Sequence, residues 1–183
     1  MTACAIAARM RSMPANPFRL GLGIAGAVIA LDQLSKWWVV EKLMRPEGVE
    51  GIPFYTPIRL SLAPFFDLVM AWNRGVSFGI GNNAGEWNAL ILSGLALVIV
   101  AFMLVWLRKA ETPLIRAALG GIIGGALGNV IDRVRFGAVA DFLDVHVAGY
   151  HWPAFNLADS AITVGAIFLV VDSLFAGRDS TKN

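Results

Sequence analysis

Residues 87–107 read WNALILSGLALVIVAFMLVWL, a run with almost nothing polar in it. At 1.5 Å rise per residue, about 20 apolar residues cross a hydrocarbon core of about 30 Å, so this stretch alone is long enough to span a bilayer. Working outward, three more segments qualify: 18–40, 113–131 and 155–175. The whole chain of 183 residues is 57% apolar and only 15% charged, whereas a soluble domain carries about 25% charged residues. The expected fold class is an all-α membrane protein built as a four-helix bundle. Its expected organisation is a leader at 1–17, a membrane domain at 18–176 and a tail at 177–183.

The net charge of +2 is spread over connection ends, with no basic stripe, so nucleic acid is not an expected partner. The lone Cys4 excludes an intramolecular disulfide and any multi-cysteine zinc site. Arg9, Arg11 and Arg19 flank the first apolar run as they would in a cleaved signal. The run is too long for one, and it ends in Asp32-Gln33-Leu34-Ser35-Lys36 rather than a small-residue cleavage site, which favours a retained span.

Basic residues in short connections orient membrane helices. Arg9, Arg11 and Arg19 precede span one, Arg108, Lys109 and Arg116 lie between spans two and three, and Arg178 and Lys182 follow span four. Four spans put these three sites on one side, so both termini are expected to be cytoplasmic. Residues 41–86 and 133–154 then face outward, with Trp37, Trp38, Trp72, Trp87 and Trp152 as anchors near the outer interface and Trp106 near the inner one.

Thr112 is a plausible N-cap for span three, with Pro113 at its first helical position. The same span carries Gly120, Gly124 and Gly128 at four-residue spacing, read as close helix packing through small residues. In the outer segment 41–86, Ile58 to Leu62 alternates and Phe66 to Trp72 is rich in aromatic and aliphatic residues, while Pro53, Pro57 and Pro64 break it into short pieces. A small sheet on the membrane surface is expected there.

Carboxylates beside a membrane are expensive and mark function. Asn156, Asp159, Ser160 and Thr163 fall at i, i+3, i+4 and i+7, one polar stripe on an apolar helix. A hydrogen-bonded seam needs only Asn, Ser and Thr, so Asp159 stands out. Asp141 lies in an apolar setting, Ala138-Val139-Ala140-Asp141-Phe142, just past span three. Desolvation and a second carboxylate raise the pKa of such a group. Asp141 and Asp159 are therefore the expected dyad, one as general base toward water and the other, protonated, polarising a scissile carbonyl. Asp32 and Lys36, four apart, form a helical ion pair read as support of the site. Asn129, Asp132 and Arg133 place an acid beside a base at the end of span three, with Arg133 keeping Asp132 ionised. Asp144, His146 and His151, in an outer loop, invite a metal reading, but their spacing matches no common zinc pattern. No metal or cofactor is expected.

Five ordered blocks carry a resemblance: Asp32 to Lys36, Asn73-Arg74-Gly75-Val76-Ser77-Phe78, Gly124 to Arg133, Gly137 to Phe142, and Phe155 to Ser160. With them the chain resembles the lipoprotein signal peptidases (signal peptidase II, prolipoprotein signal peptidase), bacterial membrane aspartic proteases, from span one through span four. The resemblance implies a four-helix bundle with a small periplasmic β-sheet cradle in the inner membrane. It also implies a catalytic pair at Asp141 and Asp159, with supporting polar residues at Asp32, Lys36, Asn73, Gly75, Asn129, Asp132, Arg133 and Asn156. The implied reaction removes the signal peptide of a prolipoprotein immediately before its diacylglyceryl-cysteine. The implied partners are that substrate and membrane lipid, with the antibiotic globomycin as inhibitor, and the enzyme is expected to act as a monomer. The competing reading is a small proton-coupled transporter using Asp159, Asp132 and Asp32 as a relay. Against it, the acids gather at one membrane face and no inverted repeat with broken helices is visible.

Overall fold

The computed structural model describes residues 17–75 and 87–179. Residues Val76, Ser77 and Phe78 of the second block, most of the leader and the end of the tail lie outside the described residues. Among the described residues four helices are long and apolar enough to cross a membrane: α1 (Pro17–Trp38), α2 (Trp87–Lys109), α3 (Pro113–Phe136) and α4 (Leu157–Asp179). A π-helical turn, Val39–Leu43, extends α1.

Helix α3 is the centre of the bundle and packs against the other three. Its share of buried residues is 67%, against 11–17% for the other spans, so its apolar residues face protein while those of α1, α2 and α4 face outward. Its glycines allow this. A Cβ on Gly124 would lie 2.7 Å from the Ala25 carbonyl oxygen and 2.9 Å from Ala25 Cα, so only glycine lets α1 come this close. The start follows the expected pattern: Thr112 Oγ1 accepts from the Ile115 N–H at 3.2 Å, with Pro113 in the first turn. The helix runs five residues past the expected end at 131, to Phe136. Gly137 then terminates it at φ +69°, its N–H donating to the Arg133 carbonyl.

That left-handed turn sends the chain into a four-stranded antiparallel sheet of order β1-β2-β3-β4: β1 (Arg59–Ala63), β2 (Phe66–Asn73), β3 (Val139–Val147) and β4 (Tyr150–His151). The first two strands match the patches read from the sequence. The third is not expected from the sequence: Asp141, just past α3, stands on β3, and His146 and His151, expected in an outer loop, stand on β3 and β4. Between Leu68 and Ala71, β2 has one more residue than β3, a bulge that shifts the register. Val39, Val40, Met44, Phe54, Leu68, Trp72 and Phe142 form the apolar core joining the sheet to the end of the bundle. Trp72, expected at the interface, is 9% exposed and packs edge-on against Phe54 and Phe136.

Candidate active site

The site lies where β3 meets the first turn of α4. Asn156 precedes that helix rather than lying in it, and caps it: its Oδ1 accepts from the Asp159 N–H at 2.9 Å. In return Asp159 Oδ2 accepts from the Asn156 N–H at 3.3 Å. This reciprocal cap fixes Asp159 in the first turn, where the helix dipole favours a negative charge. The sequence stripe is thus a cap followed by three helical positions.

Asn156 also joins the two carboxylates. Its Nδ2 donates to Asp141 Oδ1 at 2.7 Å, so one residue holds Asp141 by its side chain and Asp159 through the cap. Asp141 is 2% exposed. Burial, and then the charge of Asp159, push its carboxyl up to about 7, against opposing hydrogen bonds from Asn73 and Asn156 and the charge of Lys36. Asn73 Nδ2 donates to Asp141 Oδ2 at 3.0 Å, while Asn73 Oδ1 accepts from the Gly75 N–H at 3.0 Å. Gly75 therefore orients the amide that holds Asp141.

Behind the pair is a buried network. Asn129 Nδ2 donates to Asp159 Oδ1 at 2.8 Å, and its Oδ1 accepts from Lys36 Nζ at 3.1 Å. Lys36 Nζ also contacts Asp32 Oδ2 at 2.8 Å and Asp132 Oδ2 at 2.9 Å, with both carboxylates fully buried. The expected i,i+4 pair is real, but it lies inside the protein as part of a three-charge cluster rather than at an interface. The remaining oxygen of Asp32 accepts from the Ala158 N–H at 3.0 Å and that of Asp132 from Gln33 Nε2 at 2.9 Å. Gln33 belongs to the network though its sequence neighbours drew more notice. Gly128 leaves the room for it: a Cβ there would stand 2.6 Å from Asp32 Oδ2. The cation on Asp132 is Lys36, not Arg133 as the adjacency suggested. Adjacent helical positions point apart, and Arg133 instead donates to the carbonyls of Gly75 at 3.3 Å and Asn129 at 3.5 Å.

Asp144 and His151 do not join this site. His151 Nδ1 pairs with Asp144 Oδ2 at 2.8 Å, and His146 Nε2 lies 3.3 Å from Asp67. Arg59 neutralises both acids. Asp67 interrupts the apolar run 66–72 in the sequence, a signal that passed unread.

A cavity of about 370 Å³ opens at the pair, walled by Trp152 to Phe155 above and by Ser160, Thr163 and Val164 along α4. Val164 in its wall belongs to the exposed apolar face of that helix. A buried and a half-buried carboxylate of unlike surroundings, at the end of a bundle of membrane-length helices and beside a groove, make this the candidate active site.

Residues 24–175 match the family model described as signal peptidase (SPase) II, and the chain belongs to that family. A protein of Methylocella silvestris named lipoprotein signal peptidase is 42% identical over 163 residues, covering 89% of this chain and 90% of its own. One of Ralstonia nicotianae with the same name is 45% identical over 157 residues, 85% of this chain and 83% of its own. A solved bacterial membrane enzyme superposes with a TM-score of 0.73 at 25% identity, over 89% of this chain and 92% of that one. The protein is a membrane-embedded peptidase, and the transporter reading falls away.

Proposed function

We propose that this chain is an aspartic endopeptidase that removes the signal peptide of bacterial prolipoproteins, hydrolysing the bond immediately before the diacylglyceryl-cysteine. The observation that carries the reading is the pairing of Asp141 and Asp159 through Asn156, beside a groove that opens onto the apolar face of α4. Two carboxylates that share a site cannot both ionise easily. Asp141, pushed up to about 7 by burial, holds the proton and donates it to the scissile carbonyl oxygen. Asp159, held by Asn129 and the helix start, takes a proton from water as the oxygen attacks. The tetrahedral intermediate collapses as Asp159 returns that proton to the leaving amine and Asp141 recovers its own. No metal or cofactor enters this scheme.

Asn73, Gly75, Asn129 and Asn156 aim the pair, Asp32, Lys36 and Asp132 brace it from behind, and Arg133 ties the chain at Gly75 to α3. In this reading both termini are cytoplasmic, and the sheet and dyad sit at the periplasmic face of the inner membrane. A lipid-anchored substrate then reaches the groove laterally, and one chain suffices as a monomer. Globomycin inhibits by occupying the dyad. The test is the gel shift of a diacylglyceryl-modified prolipoprotein in liposomes. Globomycin-sensitive cleavage by the wild type and none by Asp141→Asn or Asp159→Asn is expected. Cleavage surviving both substitutions refutes the dyad.

A further inference from the structure

Away from the dyad, every strand of the sheet contributes to one polar cluster. Arg59 comes from β1, Asp67 from β2, Asp144 and His146 from β3, and His151 from β4. Asp67 and Asp144 are directly opposite in the ladder and each is 3% exposed. A like-charged cross-strand pair is unfavourable, and apolar residues would pack there at lower cost. Arg59 offsets this by reaching both acids, Asp67 at 2.8 Å and Asp144 at 3.4 Å, while His151 contacts Asp144 at 2.8 Å.

The backbone around this cluster specifies register poorly. The β1–β2 ladder shifts between Ser61 and Ala63, and the β2–β3 ladder shifts between Leu68 and Ala71. Asp67 sits between the two irregularities. The second one decides what faces the dyad, because strand side chains alternate. With the bulge, Ala71 opposes Asp141 and Asn73 opposes Val139, so Asn73 stands on the same side as Asp141. Without it, Trp72 would oppose Val139 and Asn73 would point away, since a one-residue slip turns every side chain to the other face.

We propose that Asp144 is a positioning residue: with Asp67, Arg59 and His151 it locks the β2–β3 register on the far side of the bulge, and so keeps Asn73 against Asp141. The proposal rests on the dyad reading above. Losing the lock lets the bulge migrate, Asn73 leaves, and Asp141 loses a donor that favours its carboxylate form. The groups that face Asp141 besides Asn73 are Asp159, Asn156, Lys36 and Arg133, and none of them is touched by the substitutions below.

The experiment follows kcat against pH with full-length protein and a diacylglyceryl-modified prolipoprotein in liposomes. Asn73→Ala should move the limb belonging to Asp141 upward by about one pH unit, the effect of one lost hydrogen bond to a charged group. Asp144→Asn should give the same upward shift with kcat about ten-fold lower, and the double variant should shift no further. Asp144→Glu should restore part of the lost rate. Arg59→Gln, at a half-exposed side chain on the edge strand, removes the cation that reaches both acids and should reproduce the shift; it decides the matter if Asp144→Asn fails to fold. An unmoved limb in Asp144→Asn or Arg59→Gln, with Asn73→Ala shifted, overturns the proposal, as does an unmoved limb in Asn73→Ala. Activity retained by Asp141→Asn would instead sink the dyad reading.

Discussion

Replacing Lys36 by Met tests whether the buried charge cluster holds the bundle together. The substitution keeps an unbranched side chain of similar length, so it opens little space. It removes the ammonium that contacts Asp32 at 2.8 Å, Asp132 at 2.9 Å and Asn129 at 3.1 Å. Both acids are 0% exposed, so no water replaces the lost partner. Breaking a buried ion pair from one side costs about 3–5 kcal/mol. At about 2–4 °C per kcal/mol for a chain of this size, the melting temperature in detergent should fall by about 10 °C, read by tryptophan fluorescence. Adding Asp32→Asn removes one stranded charge but leaves a carbonyl to accept from Ala158. The double variant should therefore recover several degrees over Lys36→Met alone. A fall of under about 3 °C, or a double variant less stable than the single, would refute the argument that the cluster is held by Lys36.

Gly128→Ala should lower stability by about 2 kcal/mol and activity with it, because its Cβ meets the Asp32 carboxylate at 2.6 Å; thermal melts and the cleavage assay check both. Asn129→Ala, which removes the donor to Asp159, should lower kcat about a hundred-fold with KM little changed in steady-state kinetics. For Asp141 the sign is that of a raised carboxyl: the folded state binds the proton more tightly than the unfolded chain. Its contribution is therefore present at low pH and lost as pH rises from the ordinary carboxylate value toward about 7. Asp141→Asn should flatten the melting temperature between about pH 4 and 7 and make the inactive variant more stable than wild type at pH 8, by at most about 4 kcal/mol. Thr163→Trp, filling a wall of the 370 Å³ groove, should raise KM several-fold while leaving kcat within about two-fold.

The helices were legible because length and apolarity alone decide a span, and Gly120, Gly124 and Gly128 announced that α3 packs closely, though not that it sits at the centre of the bundle. Asp141 and Asp159 were legible as charges with no reason to be where they are. Strand β3 was not, because Val139 to Val147 mixes apolar, acidic and imidazole side chains without clean alternation: both of its sides are covered from Val139 to Asp144, so the two-residue period is lost there. The partner of Asp132 was misread for a related reason. Adjacency in sequence pointed to Arg133, while the helix turned Asp132 inward to a lysine 96 positions earlier and Arg133 toward Gly75. The roles of Asn73 and Gly75 depend on a one-residue bulge, and no local pattern in β2 marks where it falls.

The i,i+4 arrangement of Asp32 and Lys36 also bears on how the chain enters the bilayer. During synthesis α1 emerges first, long before α3 can supply Asp132 or α4 the Ala158 N–H. An unaccompanied acid in that helix would oppose insertion by about 3 kcal/mol. With the lysine one turn away, the helix carries its own counter-charge for that acid as it enters. Only when the last helix arrives is the pair drawn into the larger network, and only then do Asp141 and Asp159 meet. On the proposed dyad, the nascent chain thus gains its hydrolytic pair only once α4 is in place.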